Sequence, residues 1–155
     1  MEDEERILID VARLSEEGES FSGEADIVDL DEEFVRPFGG VRYALEAKVY
    51  GAELLVKGRL EQDFDLVCSR CGRDFDTTVK VEDFVFSAEI GEKTEFIDLT
   101  NDARECIILA LPTYPVCDED CPGIEQKRES APDGRWSALD GVKVCDKTQS
   151  NKEEE

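Results

Sequence analysis

The stretch Cys68-Ser69-Arg70-Cys71 and its later counterpart Cys117-Asp118-Glu119-Asp120-Cys121 decide how this chain folds. Two residues separate the first pair of cysteines and three separate the second, and both gaps are within the range that zinc sites use. The 45 residues between the pairs are enough for a strand hairpin and one helix. Thiolate sulfur is a soft ligand that suits zinc, so the spacing predicts a single structural zinc ion. Its predicted ligands are Cys68, Cys71, Cys117 and Cys121.

Other interpretations of the cysteines stay open at this point. Two pairs of free, partly buried thiols, or disulfides, would also fit the spacing. Cys106 and Cys145 could each replace one of the four ligands. Cys106 falls within an apolar helical stripe, which favours a small core residue because free cysteine is often buried. Cys145 is isolated in the C-terminal tail.

Charge narrows the classes of function. The chain of 155 residues has a net charge of −22 and no histidine, which excludes His-based triads, His–zinc sites and imidazole pH switches. Residues 1–35 alone contribute a net charge of −12. An acidic surface repels phosphate backbones and attracts basic proteins, although acidic residues can also serve solubility alone.

The N-terminus predicts neither export nor membrane insertion. Residues 1–5 are acidic, which is the reverse of the basic start of a secretory signal. No apolar run approaches the ~20 residues that a membrane span needs. Six cysteines in such a chain favour metal ligands or core thiols over a disulfide framework. We therefore expect a cytoplasmic protein.

The hydrophobic pattern predicts an α+β fold. Alternation at residues 41–50, 53–60, 64–68 and 75–86 indicates an antiparallel β-meander, with the first cysteine pair at a hairpin tip. Apolar residues then recur at helical spacing over 99–111, with Asp98 as N-cap and Pro112 as the stop. One main helix packed on a sheet, with a four-cysteine, zinc-ribbon-like knuckle, is the predicted architecture.

Three regions are predicted along the chain. Residues 1–40 form an acidic N-terminal arm whose short strands join the sheet, with 7–11 as one strand, 21–30 as a weak second strand and 31–40 as a linker. Residues 41–121 form the core sheet and helix with the four-cysteine site. Residues 122–155 form a largely mobile C-terminal tail.

Several of these motifs together resemble the YceD family, whose members are named for accumulation of large-subunit ribosomal RNA. The resemblance covers roughly residues 20–140 and rests on an ordered set of segments. They are Val67-Cys68-Ser69-Arg70-Cys71, Leu109-Ala110-Leu111-Pro112, Cys121-Pro122-Gly123-Ile124 and Asp133-Gly134-Arg135-Trp136-Ser137-Ala138-Leu139, with Gly134 where the family usually has proline.

The resemblance implies a ribosome-biogenesis factor that is not an enzyme. A chain with a net charge of −22 is a poor direct RNA binder, because RNA affinity comes largely from Lys and Arg. We therefore expect an acidic adaptor for a basic partner, such as a ribosomal protein or an rRNA-processing factor. Trp136 is the candidate partner-binding residue, and the alternative is that it anchors the tail on the domain.

Two other classes of function are open. The acid pairs Asp63/Asp65 and Asp118/Asp120 could do acid–base work, but no nucleophile–base constellation accompanies them. A thiol redox protein using Cys68 and Cys71 is the main alternative, because the cationic Arg70 would lower a thiol pKa. Against it, a thioredoxin-like motif lies between a strand and a helix of a parallel-sheet unit, and here a hairpin is predicted.

Overall fold

The computed structural model describes residues 6–125, 134–139 and 141–142. The chain divides into two compact units, residues 1–124 and residues 125–155, which are described separately. Within the described residues, the first unit contains six strands and one α-helix. The second contains a short 3-10 helix, Gly134–Leu139. The first unit is thus an α+β structure that is mostly antiparallel sheet, as the sequence predicted.

Four strands form the main sheet as a meander. They are β2 (Glu19–Ala25), β3 (Val35–Tyr50), β4 (Glu53–Val67) and β5 (Asp74–Glu89), and each pairs antiparallel with the next. The predicted third strand is the second half of β4, because the chain stays extended through Glu61 and Asp63. Burial alternates without interruption there, with Leu60, Gln62, Phe64 and Leu66 buried and their neighbours half-exposed.

The N-terminal strand lies outside the main sheet. β1 (Leu8–Asp10) pairs antiparallel with β6 (Phe96–Asp98) in a separate two-stranded sheet. The prediction that residues 7–11 pair with the main sheet is therefore wrong. Ile7, directly before β1, and Ile9, within it, are nonetheless buried in the common hydrophobic core, so apolar packing still holds this short sheet in place.

The segment predicted as a linker, residues 31–40, contains the first part of β3. The β3–β4 register shifts between Phe38 and Arg42, so the three β3 residues between them face the single residue Gln62. The buried Gln62 amide donates hydrogen bonds of 3.0 Å to the carbonyl oxygens of Phe38 and Gly39. A β-bulge of this kind tolerates the glycine-rich sequence that suggested a linker.

The single described α-helix of the first unit, α1 (Thr100–Leu109), covers part of the sheet. It contacts β4 and β5, and Ala103 and Ile107 are fully buried on its inner face. The Asp98 carboxylate accepts a hydrogen bond of 2.9 Å from the Thr100 N–H, although the residue at the N-cap position is Leu99. Asp98 therefore accepts a hydrogen bond from one of the free N–H groups of the first turn. It does so from the position before the N-cap, and not from the N-cap position that the sequence predicted.

Among the residues that the structure describes, no helix is both long enough and apolar enough to span a membrane.

Candidate metal centre

The first cysteine pair occupies the turn between β4 and β5. Cys68 directly follows β4, its N–H donates to the Arg73 carbonyl at 2.8 Å, and its carbonyl accepts from the Gly72 N–H at 2.9 Å. Gly72 has a φ of 73°, a conformation that costs a side-chain-bearing residue free energy. These bonds fold residues 68–73 into a tight turn that presents Cys68 and Cys71 on the same side.

The second pair is delivered by the segment that follows α1. The Ser69 N–H donates a hydrogen bond of 2.8 Å to the Pro115 carbonyl, which joins this segment to the first turn two residues before Cys117. Residues 118–121 then form their own turn, closed by the Cys121 N–H bonding to the Asp118 carbonyl at 3.1 Å. The segment that carries the second turn is therefore bonded to the first turn through its backbone, in addition to the contacts between the cysteines.

The four predicted ligands lie together in space. The Sγ atoms of Cys68, Cys71, Cys117 and Cys121 are all within 4.8 Å of one another. The Cys68–Cys121 sulfur distance is 3.8 Å and the Cys71–Cys117 distance is 3.7 Å. Four sulfurs placed about 2.3 Å from a central zinc ion form a tetrahedron with edges of about 3.8 Å, whereas a disulfide is about 2.05 Å long. The cluster is thus shaped to hold a metal ion, and its cysteines are free thiols.

The surroundings of Cys68 favour its thiolate. Burial raises the pKa of this thiol, but the backbone N–H groups of Cys71, Cys117 and Arg70 outweigh burial and bring the pKa to about 6. The Cys117 N–H lies 3.3 Å from the Cys68 sulfur and the Arg70 N–H lies 3.4 Å from it. Because metals bind the deprotonated form of cysteine, these donors prepare Cys68 as a ligand.

The other two thiols with shifted pKa values in the cluster move in opposite directions. The Arg73 guanidinium donates to the Cys71 sulfur at 3.5 Å and lowers the pKa of Cys71. Hydrogen bonding with Cys121, followed by burial, raises the pKa of Cys117 to about 12. A crowded group of thiols keeps a proton on Cys117 because adjacent negative charges repel, and a bound cation would remove that repulsion.

Two arginines support the centre in different ways. The Arg70 side chain donates to the carbonyl oxygens of Glu119 and Cys121, at 2.9 and 3.4 Å, and so binds the second turn to the first. Arg73 contacts a ligand sulfur directly. A divalent ion with four thiolates carries a net charge of about −2, which two adjacent guanidinium groups can offset.

Arg73 is the site residue that sequence reasoning missed. The sequence predicts that Arg70 lowers a thiol pKa through its cationic side chain, but its backbone N–H is the group that bonds to the Cys68 sulfur. The available signal was the position of a second arginine two residues after Cys71. Hydrogen-bond donors beside ligand atoms orient those ligands, and an arginine so near Cys71 can reach its sulfur.

The remaining cysteines and Trp136 lie elsewhere or outside the described part of the chain. Cys106 is half-buried in α1 against the hydrophobic core, and burial raises the pKa of its thiol. Cys145, the other proposed substitute ligand, is outside the described residues, as is most of the C-terminal tail predicted to be mobile. Trp136 lies on the short helix Gly134–Leu139 of the second unit, where its side chain is 67% exposed.

The acid pairs are engaged in structural contacts. Asp63 accepts hydrogen bonds from Arg42 and Thr78, at 2.7 and 2.6 Å, and Asp65 pairs with Arg36 at 2.7 Å. In the second turn, the Asp118 carboxylate accepts from the Asp120 N–H at 2.9 Å. These carboxylates hold the outer face of the sheet and the second turn in shape.

No protein-family model, curated protein or solved structure matches this chain. The resemblance to the YceD family therefore remains a prediction from the quoted motifs, and the metal centre rests on its own geometry.

Proposed function

We propose that this protein is a ribosome-biogenesis factor that supports accumulation of large-subunit ribosomal RNA. It would act in the cytoplasm as an acidic adaptor for a basic partner, without catalysing a reaction. The observation that carries the proposal is the four-cysteine centre, which joins two distant turns of a strongly acidic domain. The link to ribosomal RNA comes from the YceD resemblance of the same segments.

The metal in this proposal is one structural zinc ion. A site of four sulfurs accepts either zinc or iron. All four ligands come from the chain, which is typical of structural zinc, whereas catalytic zinc keeps one position open for water. Native mass spectrometry and elemental analysis of the purified protein should find one zinc per chain. Iron in place of zinc, or no metal, would contradict this part of the proposal.

The adaptor role is supported by how the few cations are used. On the outer face of the main sheet, Arg42 pairs with Asp63 and Glu61, and Lys80 pairs with Glu61. Arg36 likewise pairs with Asp65 and Asp74. Cations that carboxylates already neutralise have little charge left for a phosphate backbone. A basic protein fits this surface better than RNA does.

Affinity purification from cells, followed by salt titration of the recovered complexes, tests the proposal. We expect ribosomal proteins or rRNA-processing factors of high pI to co-purify and to dissociate as ionic strength rises, because exposed charges are screened by salt. A charge-reduced variant, E16Q/E17Q/E24Q, should bind them more weakly. The adaptor role would be refuted if no such protein co-purifies, or if binding does not change with ionic strength.

The pKa of Cys68 keeps thiol redox chemistry as a second candidate function. The Arg70 and Cys117 N–H groups lie 3.4 and 3.3 Å from the Cys68 sulfur and lower the pKa of this thiol, and the thiolate that they favour is a nucleophile as well as a ligand. Alkylation followed by mass spectrometry separates the two functions. The zinc centre should leave all four cysteines slow to react until a chelator is added. A redox pair would instead give two fast-reacting thiols in metal-free protein.

A further inference from the structure

An apolar groove of about 450 Å³ lies beside the metal centre. Its floor is the end of β4 and its two sides come from the residues before β3 and the segment after α1. The side chains that line it are mainly apolar: Phe34, Leu66, Val67, Leu111, Pro112 and Pro115. Phe34 is 61% exposed and lines the groove beside these apolar residues, so it extends an exposed apolar surface.

Backbone hydrogen bonds hold the sides of this groove to the metal centre. The Val67 N–H donates to the Phe34 carbonyl at 3.2 Å, which fixes one side. The Ser69 N–H donates to the Pro115 carbonyl at 2.8 Å, which fixes the other side to the first cysteine turn. Cys68 is both a lining residue and a predicted ligand. The groove therefore shares Cys68 with the metal centre, and one of its sides is bonded to the first cysteine turn.

Two of the chain segments that line the groove continue into exposed acidic residues. Asp31, Glu32 and Glu33 directly precede Phe34 and are exposed, and Asp118, Glu119 and Asp120 follow Pro115 closely and are exposed as well. The nearby cations are already engaged, because Arg36 pairs with Asp65 and Asp74 and Arg70 bonds to backbone carbonyls. An apolar groove whose lining segments continue into exposed carboxylates is complementary to an apolar side chain that has Lys or Arg among its neighbours.

We propose that this groove is the docking site of the basic partner and receives one large apolar side chain of a Lys- and Arg-rich protein segment. The proposal builds on the adaptor function and names the surface that performs it. Burial of the apolar side chain supplies affinity, and the carboxylates of the adjoining segments select basic flanking residues. Because Cys68 lines the groove and is a predicted metal ligand, metal loss should weaken docking even if the sheet stays folded.

The test uses the full-length, zinc-loaded protein and three fluorescently labelled peptides. The first is a short lysine-rich peptide with one central tryptophan, the second has serine in place of that tryptophan, and the third has glutamates in place of the lysines. We expect the first to bind about tenfold more tightly than the second, because the groove buries the tryptophan side chain; tenfold corresponds to about 1.4 kcal/mol. The acidic peptide should not bind.

Two matched variants locate the site. Phe34→Ser should weaken binding of the tryptophan peptide about tenfold, to the level of the serine peptide. Phe96→Ser removes a phenylalanine of similar exposure, 59%, from β6, outside the groove, and should leave binding unchanged. Removing zinc with a chelator should reduce binding of the tryptophan peptide more than that of the serine peptide.

The outcomes separate this inference from the adaptor function. The docking proposal is overturned if the tryptophan and serine peptides bind equally, or if Phe34→Ser and Phe96→Ser have equal effects. The adaptor function can still hold in that case, because salt-sensitive capture of basic ribosomal proteins tests it separately. Tryptophan-dependent binding that Phe34→Ser removes supports the groove even if no ribosomal protein is captured. Analytical sedimentation tests whether the groove instead binds a second copy of this chain. A dimer that forms in wild type and is lost in Phe34→Ser would overturn the proposal.

Discussion

The sulfur atoms of Cys68 and Cys121 lie 3.8 Å apart although the two residues are 53 positions apart in the chain. Both side chains are almost fully buried, with 2% and 7% of their surface exposed. A cross-link stabilises a protein most when it closes a long loop, because closing the loop removes many conformations of the unfolded chain. A metal held at this point would therefore stabilise the first unit through both turns.

The first prediction concerns that stability. Replacing Cys121 with serine removes one ligand, and we expect loss of stoichiometric zinc and a lower Tm. Zinc at a hundred times its Kd contributes about 2.7 kcal/mol, so the variant should lose about that much. Thermal unfolding with and without chelator measures the loss. Cys106→Ala is the control, since it lies in α1 outside the cluster and should keep zinc. An unchanged Tm in Cys121→Ser would show that zinc does not stabilise the fold.

The second prediction concerns the outer contacts of the centre. Arg73→Gln removes the guanidinium that donates to the Cys71 sulfur, so the Cys71 thiolate becomes less favourable. Loss of such partners typically lowers metal affinity about 10–100-fold. Competition with a chromophoric zinc chelator measures the change, and Arg59→Gln, at an exposed position on β4, serves as the control. Equal zinc affinity of the two variants would contradict a role for Arg73.

The third prediction concerns the bulge between β3 and β4. Gln62→Leu keeps the volume but leaves the carbonyls of Phe38 and Gly39 without the buried amide donor, which should cost about 1–3 kcal/mol. Gln62→Glu should cost more at neutral pH, because a carboxylate cannot donate and would face two carbonyl oxygens. Urea unfolding measures both, with the exposed Lys57→Gln as control. A more stable Gln62→Glu would show that the amide is not acting as donor.

The sequence predicted the meander and the helix because their signals are local. Alternating burial and helical spacing are readable residue by residue, and they identified β4, β5 and the inner face of α1. The strand limits were less predictable. The sequence pattern places a break between two strands at Gln62, but its amide is satisfied by carbonyls of another strand, which a local pattern cannot indicate.

Long-range pairing explains the other differences. β1 pairs with β6, about 88 positions later, and a short apolar stretch carries no information about which edge it joins. The four-cysteine cluster was predictable although Cys68 and Cys121 are 53 positions apart, because cysteine pairs with metal-ligand spacing indicate their partners by chemistry. Arg73 was missed for the opposite reason, since an arginine in a polar turn has many possible contacts.

The fourth prediction concerns pH and the pair of Arg42 and Asp63. The hydrogen bond from Arg42, then that from Thr78, holds the pKa of Asp63 below its ordinary value of 3.8. A carboxyl group whose pKa is lower in the folded state stabilises the protein above its unfolded pKa, and this contribution disappears as pH falls through the folded value. Asp63→Asn should therefore cost up to about 1 kcal/mol at pH near neutrality, and the difference from wild type should vanish in acid.

Urea unfolding of both proteins from neutral pH to below 3.8 measures this difference. Protonation of the metal-binding thiols destabilises both proteins equally, so the difference between them isolates the Asp63 carboxylate. Asp76→Asn, at an exposed position on β5, controls for loss of a negative charge from a chain whose net charge is −22. Since removing one acid from so acidic a surface relieves repulsion, Asp76→Asn should be neutral or slightly stabilising. A difference between wild type and Asp63→Asn that persists in acid would mean that the asparagine disturbs packing, and that the Arg42 contact does not account for the loss.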